Sequence, residues 1–187
     1  MRLEFYKNEV KKININRFLF IDETGSTINQ TRRYGRSKRG EKVFYPNQIG
    51  RSKRVNTIAA LTTEGIKASF AFEGTLNAYL FYNYVKIFLV PELTPESVVI
   101  LDNATAHYDD DALELIETTG AKILFLPPYS PELNPIEMYW AKFKAYLKKE
   151  EARTIKSLYE KISIFIGSTG KENMTNYIKH CGYDYCT

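Results

Sequence analysis

The chain has 187 residues, a length typical of one domain rather than two. Its composition, 44% hydrophobic and 26% charged, indicates a globular protein with its own core and excludes a disordered chain. The N-terminal residues are highly charged, and no apolar stretch is long enough to span a bilayer. We therefore predict a soluble, cytoplasmic protein without a signal peptide or a membrane partner.

The net charge of +4 is unevenly distributed along the chain. The segment from Arg32 to Arg54, here called the basic segment, carries nine lysines and arginines and one acid, whereas the remainder is net negative. Such a concentration of like charge predicts contact with phosphates; a solvated, self-repelling loop is the alternative. The candidate phosphate-binding residues are Arg32, Arg33, Arg36, Lys38, Arg39, Lys42, Arg51, Lys53 and Arg54.

Two cysteines, Cys181 and Cys186, lie close to the C-terminus, with His180 beside the first. Their spacing matches no common zinc motif, so reduced cysteines are the preferred interpretation over metal ligands.

The first half of the chain predicts three strands. An apolar run from Arg17 to Thr24 predicts a buried strand with Asp22 near its carboxyl end. The basic segment follows and predicts an irregular hairpin. Residues 55–62 and 66–72 predict an antiparallel hairpin around a turn at Glu64 and Gly65.

The second half alternates helices and strands. A tyrosine-rich helix is predicted over 75–89, and a second helix over 109–118. Short apolar runs at 97–101 and 121–126 predict buried strands, and Asp102 directly follows the first of these.

A proline-rich loop then leads into a helix that is predicted to end near Lys149. Asn134 as N-cap and Glu137 three residues later predict a capping box. The buried stripe of this helix is predicted to be Ile136, Trp140, Phe143 and Leu147, and further helices are predicted over 154–166 and 172–179. The order of elements predicts an α/β fold, a mixed sheet flanked by helices on both faces.

Three acids stand out in this arrangement. Asp22 and Asp102 close buried strands, and Glu137 begins a helix after a rigid loop. Converging carboxylates repel one another, and a pair of divalent cations relieves that repulsion while catalysing phosphodiester displacement. Each acid also has a purely structural alternative, because the aspartates can cap turns and Glu137 can serve the capping box alone.

Four segments together resemble the catalytic domain of insertion-sequence transposases of the mariner-like DDE group. They are residues 20–25 (FIDETG), 34–41 (YGRSKRGE), 99–107 (VILDNATAH) and 126–137 (LPPYSPELNPIE). Thirty-four residues lie between Asp102 and Glu137, as is typical of that group. The resemblance implies a ribonuclease-H-like fold and a catalytic, metal-binding triad of Asp22, Asp102 and Glu137.

The same resemblance implies the reaction and its partners. It implies two Mg²⁺ or Mn²⁺ ions, cleavage of double-stranded DNA at transposon ends, and attack of the freed 3′-hydroxyl on target DNA. It also implies a homodimer and a helix-turn-helix region that reads the element ends. We expect residues 1–16 to be a linker remnant, residues 17–187 to be the catalytic domain, and the helix-turn-helix region to be missing from this chain.

Residues near the triad are assigned separately. Asn103 and His107 match the family pattern, and His107 is expected either to hold a carboxylate or phosphate near the metals or to be a satisfied helix-start histidine. Glu23 should face away from Asp22, in a structural role or against the basic segment. Glu132 is not expected to be catalytic, and residues 109–111 read as a solvated helix start.

Helical spacing adds one more expectation. Lys144 and Lys148 fall on the same helix face as Glu137 and are predicted to extend the DNA track; an ordinary solvated lysine face is the alternative.

Two other functions remain open at this point. One is a ribonuclease-H-like nuclease acting on other nucleic acids. The other is a non-catalytic DNA-binding or assembly subunit of a truncated or split element.

Overall fold

The computed structural model describes residues 4–11, 13–28, 36–42, 44, 53–170 and 172–183. Within these ranges the core is a five-stranded sheet in the order β3-β2-β1-β4-β5. Its strands are β1 (Phe18–Thr27), β2 (Arg54–Thr62), β3 (Gly65–Glu73), β4 (Val98–Leu101) and β5 (Lys122–Phe125). β2 pairs antiparallel with β1 and β3, whereas β4 pairs parallel with β1 and β5, so the predicted mixed sheet is confirmed.

The first strand is longer than its apolar run predicts. Pairing with β2 continues to Thr27 opposite Arg54, because threonines and a serine on this stretch still suit an extended backbone. Asp22 therefore lies in the middle of β1, and the prediction that it sits near the carboxyl end of a strand is wrong. The basic segment makes up most of the connection between β1 and β2, and its predicted irregular hairpin falls largely outside the described residues.

Helices cover both faces of the sheet. They are α1 (Ala78–Tyr84, continued by a π-helical turn at Val85–Leu89), α2 (Asp110–Thr118), α3 (Ile136–Glu150), α4 (Ile155–Ser168) and α5 (Glu172–His180). Asn77, Asp109 and Thr154 cap α1, α2 and α4 with side-chain oxygens that accept backbone N–H groups, which fixes where these helices begin. The solvated acidic start expected at residues 109–111 is thus confirmed.

Alternation along β1 divides the core in two. Phe18 and Phe20 face a cluster that contains the buried side chains of α3, α4 and α5. Leu19 and Ile21 face the opposite cluster, which is built on α1 and α2. A π-helical turn at residues 5–10 also packs on the first cluster through Phe5 and Val10. The boundary between a linker at 1–16 and a domain at 17–187 stays a prediction.

The start of α3 differs from the prediction. Pro135 is the N-cap residue and no side chain caps the helix, so the capping box of Asn134 and Glu137 is wrong. The helix begins one residue later than expected, with Pro135 (φ −63°) at the N-cap and Glu137 second in the helix. The structural alternative for Glu137 therefore has no support, and its carboxylate is not used as a cap.

Two further features bear on the predicted class of protein. Cys181 is reduced and buried, and burial raises the pKa of its thiol to about 11, with the charge of Glu132 adding to the effect; Cys186 lies outside the described residues. In the described part of the chain, no helix combines the length and the apolar character that a membrane crossing needs.

Candidate active site

The two aspartates come together where the parallel part of the sheet ends. β1 and β4 pair in parallel up to Phe20 opposite Ile100. The same register continued by two residues sets Asp102 opposite Asp22. β4 stops at Leu101 while β1 continues, so Asp102 leaves the sheet beside the middle of its neighbour. The carboxyl end of a parallel strand is the usual position for a site in such folds.

Asp22 is a buried carboxyl group on the face covered by α3. It is 7% exposed, and its Oδ2 accepts a hydrogen bond of 3.1 Å from the indole Nε1 of Trp140. Burial raises the pKa of Asp22 to about 8, and the charges of Glu137 and Asp102 add to that rise. The charges of Glu137 and Asp102 therefore act on Asp22, and ionising the Asp22 carboxyl group is energetically costly.

Asp102 is held by neighbours that favour its charged form. Its Oδ1 lies 2.7 Å from Nδ1 of His107 and accepts a hydrogen bond from the Ala104 N–H. Burial alone would raise the pKa of Asp102, but the His107 contact and the Ala104 hydrogen bond lower it below its usual value. The His107–Asp102 contact has ion-pair distance without ideal hydrogen-bond alignment.

His107 is fully buried, and its ring packs on Phe81 with centroids 4.8 Å apart. This packing fixes the imidazole against Asp102. The predicted alternative in which His107 holds a carboxylate therefore agrees with the geometry.

Asn103 ties two strand ends together. Its Nδ2 donates to the carbonyl of Leu126 over 2.7 Å, which joins the end of β4 to the end of β5. Its Oδ1 accepts a 2.6 Å hydrogen bond from the hydroxyl of Tyr108, whose ring stacks on Phe125. Both ends of the amide thus help to shape the floor of the site.

A cleft of about 450 Å³ opens above these residues. Asp102 and Asn103 line one side, the proline-rich loop lines another, and Glu137 faces it from the first turn of α3. Within the described ranges, no three carboxylate, thiol or imidazole groups lie close enough to form a metal site by themselves. Asp102 and Glu137 share this cleft, and their oxygens suit a hard cation whose other ligands are water or phosphate oxygens.

Two residues near the site were not anticipated in this role. Glu23 points to the other face from Asp22, as expected, but burial raises its pKa, and the charge of Asp102 raises it further, against the effects of His107 and Arg54. Arg54 is anchored by a 2.8 Å hydrogen bond from its Nε to Asn56, and its guanidinium lies where a Cβ on Gly25 would collide with it. Sequence spacing could place Glu23 on its face, but not within the electrostatic influence of Asp102 and His107, which come from another part of the chain.

The remaining candidate phosphate-binding residues lie at the surface. Arg36, Lys38, Arg39, Lys42, Lys53 and Arg54 are all exposed, and Arg32, Arg33 and Arg51 lie outside the described residues. Lys148 is exposed and Lys144 half-buried on α3, while Trp140 and Phe143 point into the core, so the predicted division of this helix into faces is confirmed. Their contact with DNA stays a prediction.

Comparison with solved structures identifies the fold. A Mos1 transposase paired-end complex with the left transposon end superposes with a TM-score of 0.76 at 16% identity, over 98% of this chain and 56% of that one. A Mos1 transposase catalytic domain with Raltegravir and Mg gives a TM-score of 0.69 at 17% identity, over 98% and 86% of the two chains. The predicted ribonuclease-H-like fold is thereby confirmed, and the chain spans about half of the Mos1 chain in the paired-end complex.

The sequence itself gives the family. No match was found among curated protein sequences. Residues 17–159 match the DDE superfamily endonuclease family, a range that includes all three predicted acids and most of the chain. The chain therefore belongs to the DDE superfamily endonucleases, as its motifs predict.

Proposed function

We propose that this chain is the catalytic domain of a transposase that cleaves DNA at transposon ends and transfers the strand, with Asp22, Asp102 and Glu137 as ligands of two Mg²⁺ or Mn²⁺ ions. One observation carries the proposal. Asp102 and Glu137 line one cleft, and burial, with the charges of these two acids adding to it, raises the pKa of Asp22 to about 8. A fold that maintains this electrostatic cost at a cleft is expected to use it for a cation.

The side chains around the acids have distinct parts in this proposal. Bound divalent ions would supply activation of the attacking oxygen and neutralisation of charge on the leaving oxygen. Trp140 orients Asp22 by its hydrogen bond, and His107 orients Asp102. Asn103 keeps the cleft floor rigid, so that a phosphodiester entering beside Glu137 meets oxygens in a fixed arrangement.

The proposal also includes the partners of this chain. Double-stranded DNA would run along the exposed basic segment, which supplies contacts that do not depend on sequence. Two copies of the chain are proposed to act together on paired ends inside the cell, with a helix-turn-helix region for sequence recognition, as the family resemblance implies.

Nicking of supercoiled plasmid tests the catalytic proposal. The chain is incubated with Mn²⁺, with Mg²⁺ and with EDTA, and compared with its Asp102→Asn variant. We expect nicking that requires the metal and is lost in the variant, because one carboxylate ligand is removed with almost no change in shape. DNA binding by filter or mobility assay without nicking in any metal would instead favour a non-catalytic DNA-binding subunit, and preferential cleavage of RNA–DNA hybrids would favour another nuclease of this fold.

The α3 lysines give a second prediction. Reversing both charges (Lys144→Glu with Lys148→Glu) should weaken binding to a short DNA duplex and flatten the dependence of affinity on salt, because about two phosphate contacts are lost. The matched control reverses Lys86 and Lys122, which lie on the opposite helical layer and at the amino end of β5. Equal losses in both double variants would show that only net charge matters.

A further inference from the structure

Gly25 is a glycine inside a strand whose backbone does not require one. It lies on β1 opposite Asn56 of β2, and its φ is not positive, so other residues could adopt the same extended conformation. A glycine within a strand weakens that strand, because it is flexible in the unfolded chain and has no side chain to pack. Its presence here indicates that another group needs the space next to it.

The space next to Gly25 is filled by the side chain of Arg54. Arg54 lies opposite Thr27 at the start of β2, so its side chain is on the same face of the sheet as Gly25. A Cβ on Gly25 would collide with Nε, Cζ and one terminal nitrogen of Arg54, and these are the three atoms nearest to it. The guanidinium group thus lies over the backbone of β1, where only glycine leaves room for it.

A buried amide holds the guanidinium group in this position. Nε of Arg54 donates a 2.8 Å hydrogen bond to Oδ1 of Asn56, and Nδ2 of Asn56 donates a 2.6 Å hydrogen bond to the carbonyl of Gly74. Asn56 is only 5% exposed, so it is a fixed anchor. An arginine restrained in this way loses less side-chain entropy on binding a ligand than an arginine that moves freely in solvent.

The terminal nitrogens of Arg54 remain available to a ligand. Arg54 is exposed, and among the described residues no acid forms an ion pair with it and no group accepts a hydrogen bond from its Nη atoms. The paired N–H groups of a guanidinium match the oxygens of a phosphate. The arrangement therefore fits a phosphate from outside the protein.

Arg54 also lies close to the proposed catalytic acids. Gly25 follows Asp22 by three residues on β1, a distance of about 10 Å along the strand, or the axial rise of about three nucleotides of DNA. Burial raises the pKa of Glu23, the residue after Asp22, and the charge of Arg54 opposes that rise, so Arg54 is within electrostatic range of the site. In the described structure β4 ends at Leu101, which leaves this edge of β1 without a neighbouring strand.

We infer that Arg54 is a preorganised phosphate-binding residue, held by Gly25 and Asn56 so that it receives a DNA phosphate a few nucleotides from the one at the acids. The inference rests on the proposed function and deepens it, because it distinguishes one arginine from the other exposed cations of the basic segment. Arg54 is a positioning residue, which holds the strand while the acids act on another phosphate.

Double-mutant cycles in DNA binding test the inference. The affinity of the whole chain for a short labelled duplex is measured by fluorescence anisotropy in EDTA at several salt concentrations. The first cycle combines Gly25→Ala with Arg54→Ala, and the second combines Gly25→Ala with Arg39→Ala. Arg39 is the matched control, because it is exposed in the same basic segment and no described residue anchors its side chain. Arg54→Lys is added as a further variant, and thermal unfolding of every variant is followed in parallel.

We expect Arg54→Ala to bind about tenfold more weakly and to reduce the slope of log affinity against log salt by about 1, because one phosphate contact is lost. Gly25→Ala should have nearly the same effect at unchanged net charge, because its methyl group displaces the guanidinium group. The Gly25→Ala, Arg54→Ala double variant should bind no more weakly than Arg54→Ala, whereas the effects of Gly25→Ala and Arg39→Ala should add.

Two further results are expected from the same measurements. Arg54→Lys should lose most of the affinity that Arg54→Ala loses, because an ammonium group does not supply the paired donors of a guanidinium. The Tm of Gly25→Ala should be equal or higher, because alanine is the less flexible residue in the unfolded chain.

Wild-type binding by Gly25→Ala or by Arg54→Lys, or additive losses in the first cycle, would overturn this inference alone. Arg54→Lys leaves Gly25 untouched, so it decides the question if Gly25→Ala unfolds at a lower temperature. A wild-type chain that binds no duplex would overturn the inference together with the proposed function. Coupling between Gly25 and Arg54 in a chain that binds DNA but does not nick it with Mn²⁺ would keep the phosphate site and overturn the catalytic proposal.

Discussion

Asp22→Asn is expected to abolish metal-dependent nicking and, at the same time, to make the metal-free protein more stable. In the wild type the pKa of Asp22 is raised from 3.8 to about 8, chiefly by burial, so the folded state holds this proton more tightly than the unfolded state. The contribution of Asp22 to the free energy of unfolding is therefore largest below pH 4 and is lost as the pH rises towards 8. Asparagine keeps the shape and the acceptor for Trp140 without the charge.

The size of this effect follows from the two pKa values. Relative to wild type, the stability of Asp22→Asn should increase by about 3 kcal/mol between pH 5.5 and pH 8.5, as an upper estimate. Urea unfolding at the two pH values measures it. The matched control is Asp102→Asn, because the pKa of Asp102 is lowered and its charge stabilises the fold above the unfolded pKa. This variant should lose stability at neutral pH, and a pH-independent effect of Asp22→Asn would show that Asp22 is not buried as a carboxyl group.

Trp140→Phe is expected to destabilise the fold, and more strongly at high pH. Trp140 is 1% exposed and donates a 3.1 Å hydrogen bond to Asp22. The smaller ring leaves a cavity and removes the donor, which should cost about 2–3 kcal/mol at pH 5.5. Without the donor the charged form of Asp22 is disfavoured further, so about 1–2 kcal/mol more should be lost at pH 8.5.

Phe143→Leu separates packing from electrostatics. Phe143 is fully buried one turn along the same helix, with its ring centroid 5.5 Å from that of Trp140. Its substitution removes comparable packing but leaves Asp22 with its donor. Unfolding free energies should therefore fall equally at pH 5.5 and pH 8.5. If Trp140→Phe also loses equal unfolding free energy at the two pH values, the indole stabilises the fold by packing alone and not by its hydrogen bond to Asp22.

Local patterns predicted the two-sided core well. Apolar runs placed β4 and β5, and the stripe of Trp140 and Phe143 placed the buried face of α3. These elements follow from side-chain periodicity, which depends on neighbours in the sequence alone. The family motifs then singled out the three acids. Asp102 and Glu137 line one cleft, and their charges help to raise the pKa of Asp22.

What sequence could not supply depends on partners far along the chain. β1 extends beyond Asp22 because it pairs with β2. A long connection separates the two strands in the sequence, so the pattern of β1 alone does not predict this pairing. The capping box at Asn134 fails because the helix begins one residue later, with Pro135 rather than Asn134 at the N-cap. The role of Trp140 as a donor to Asp22 spans 118 residues, and only the folded structure reveals it.

The separation of the acids along the chain has a consequence for biosynthesis. Asp22 comes from the first strand, whereas Glu137 and the indole that supports Asp22 come from α3, close to the last quarter of the polypeptide. A nascent chain that has not yet released α3 from the ribosome lacks one acid and leaves another without its donor. With the proposed function, competence to cut DNA is delayed until translation has passed this helix, and fragments that end before it are expected not to cut DNA.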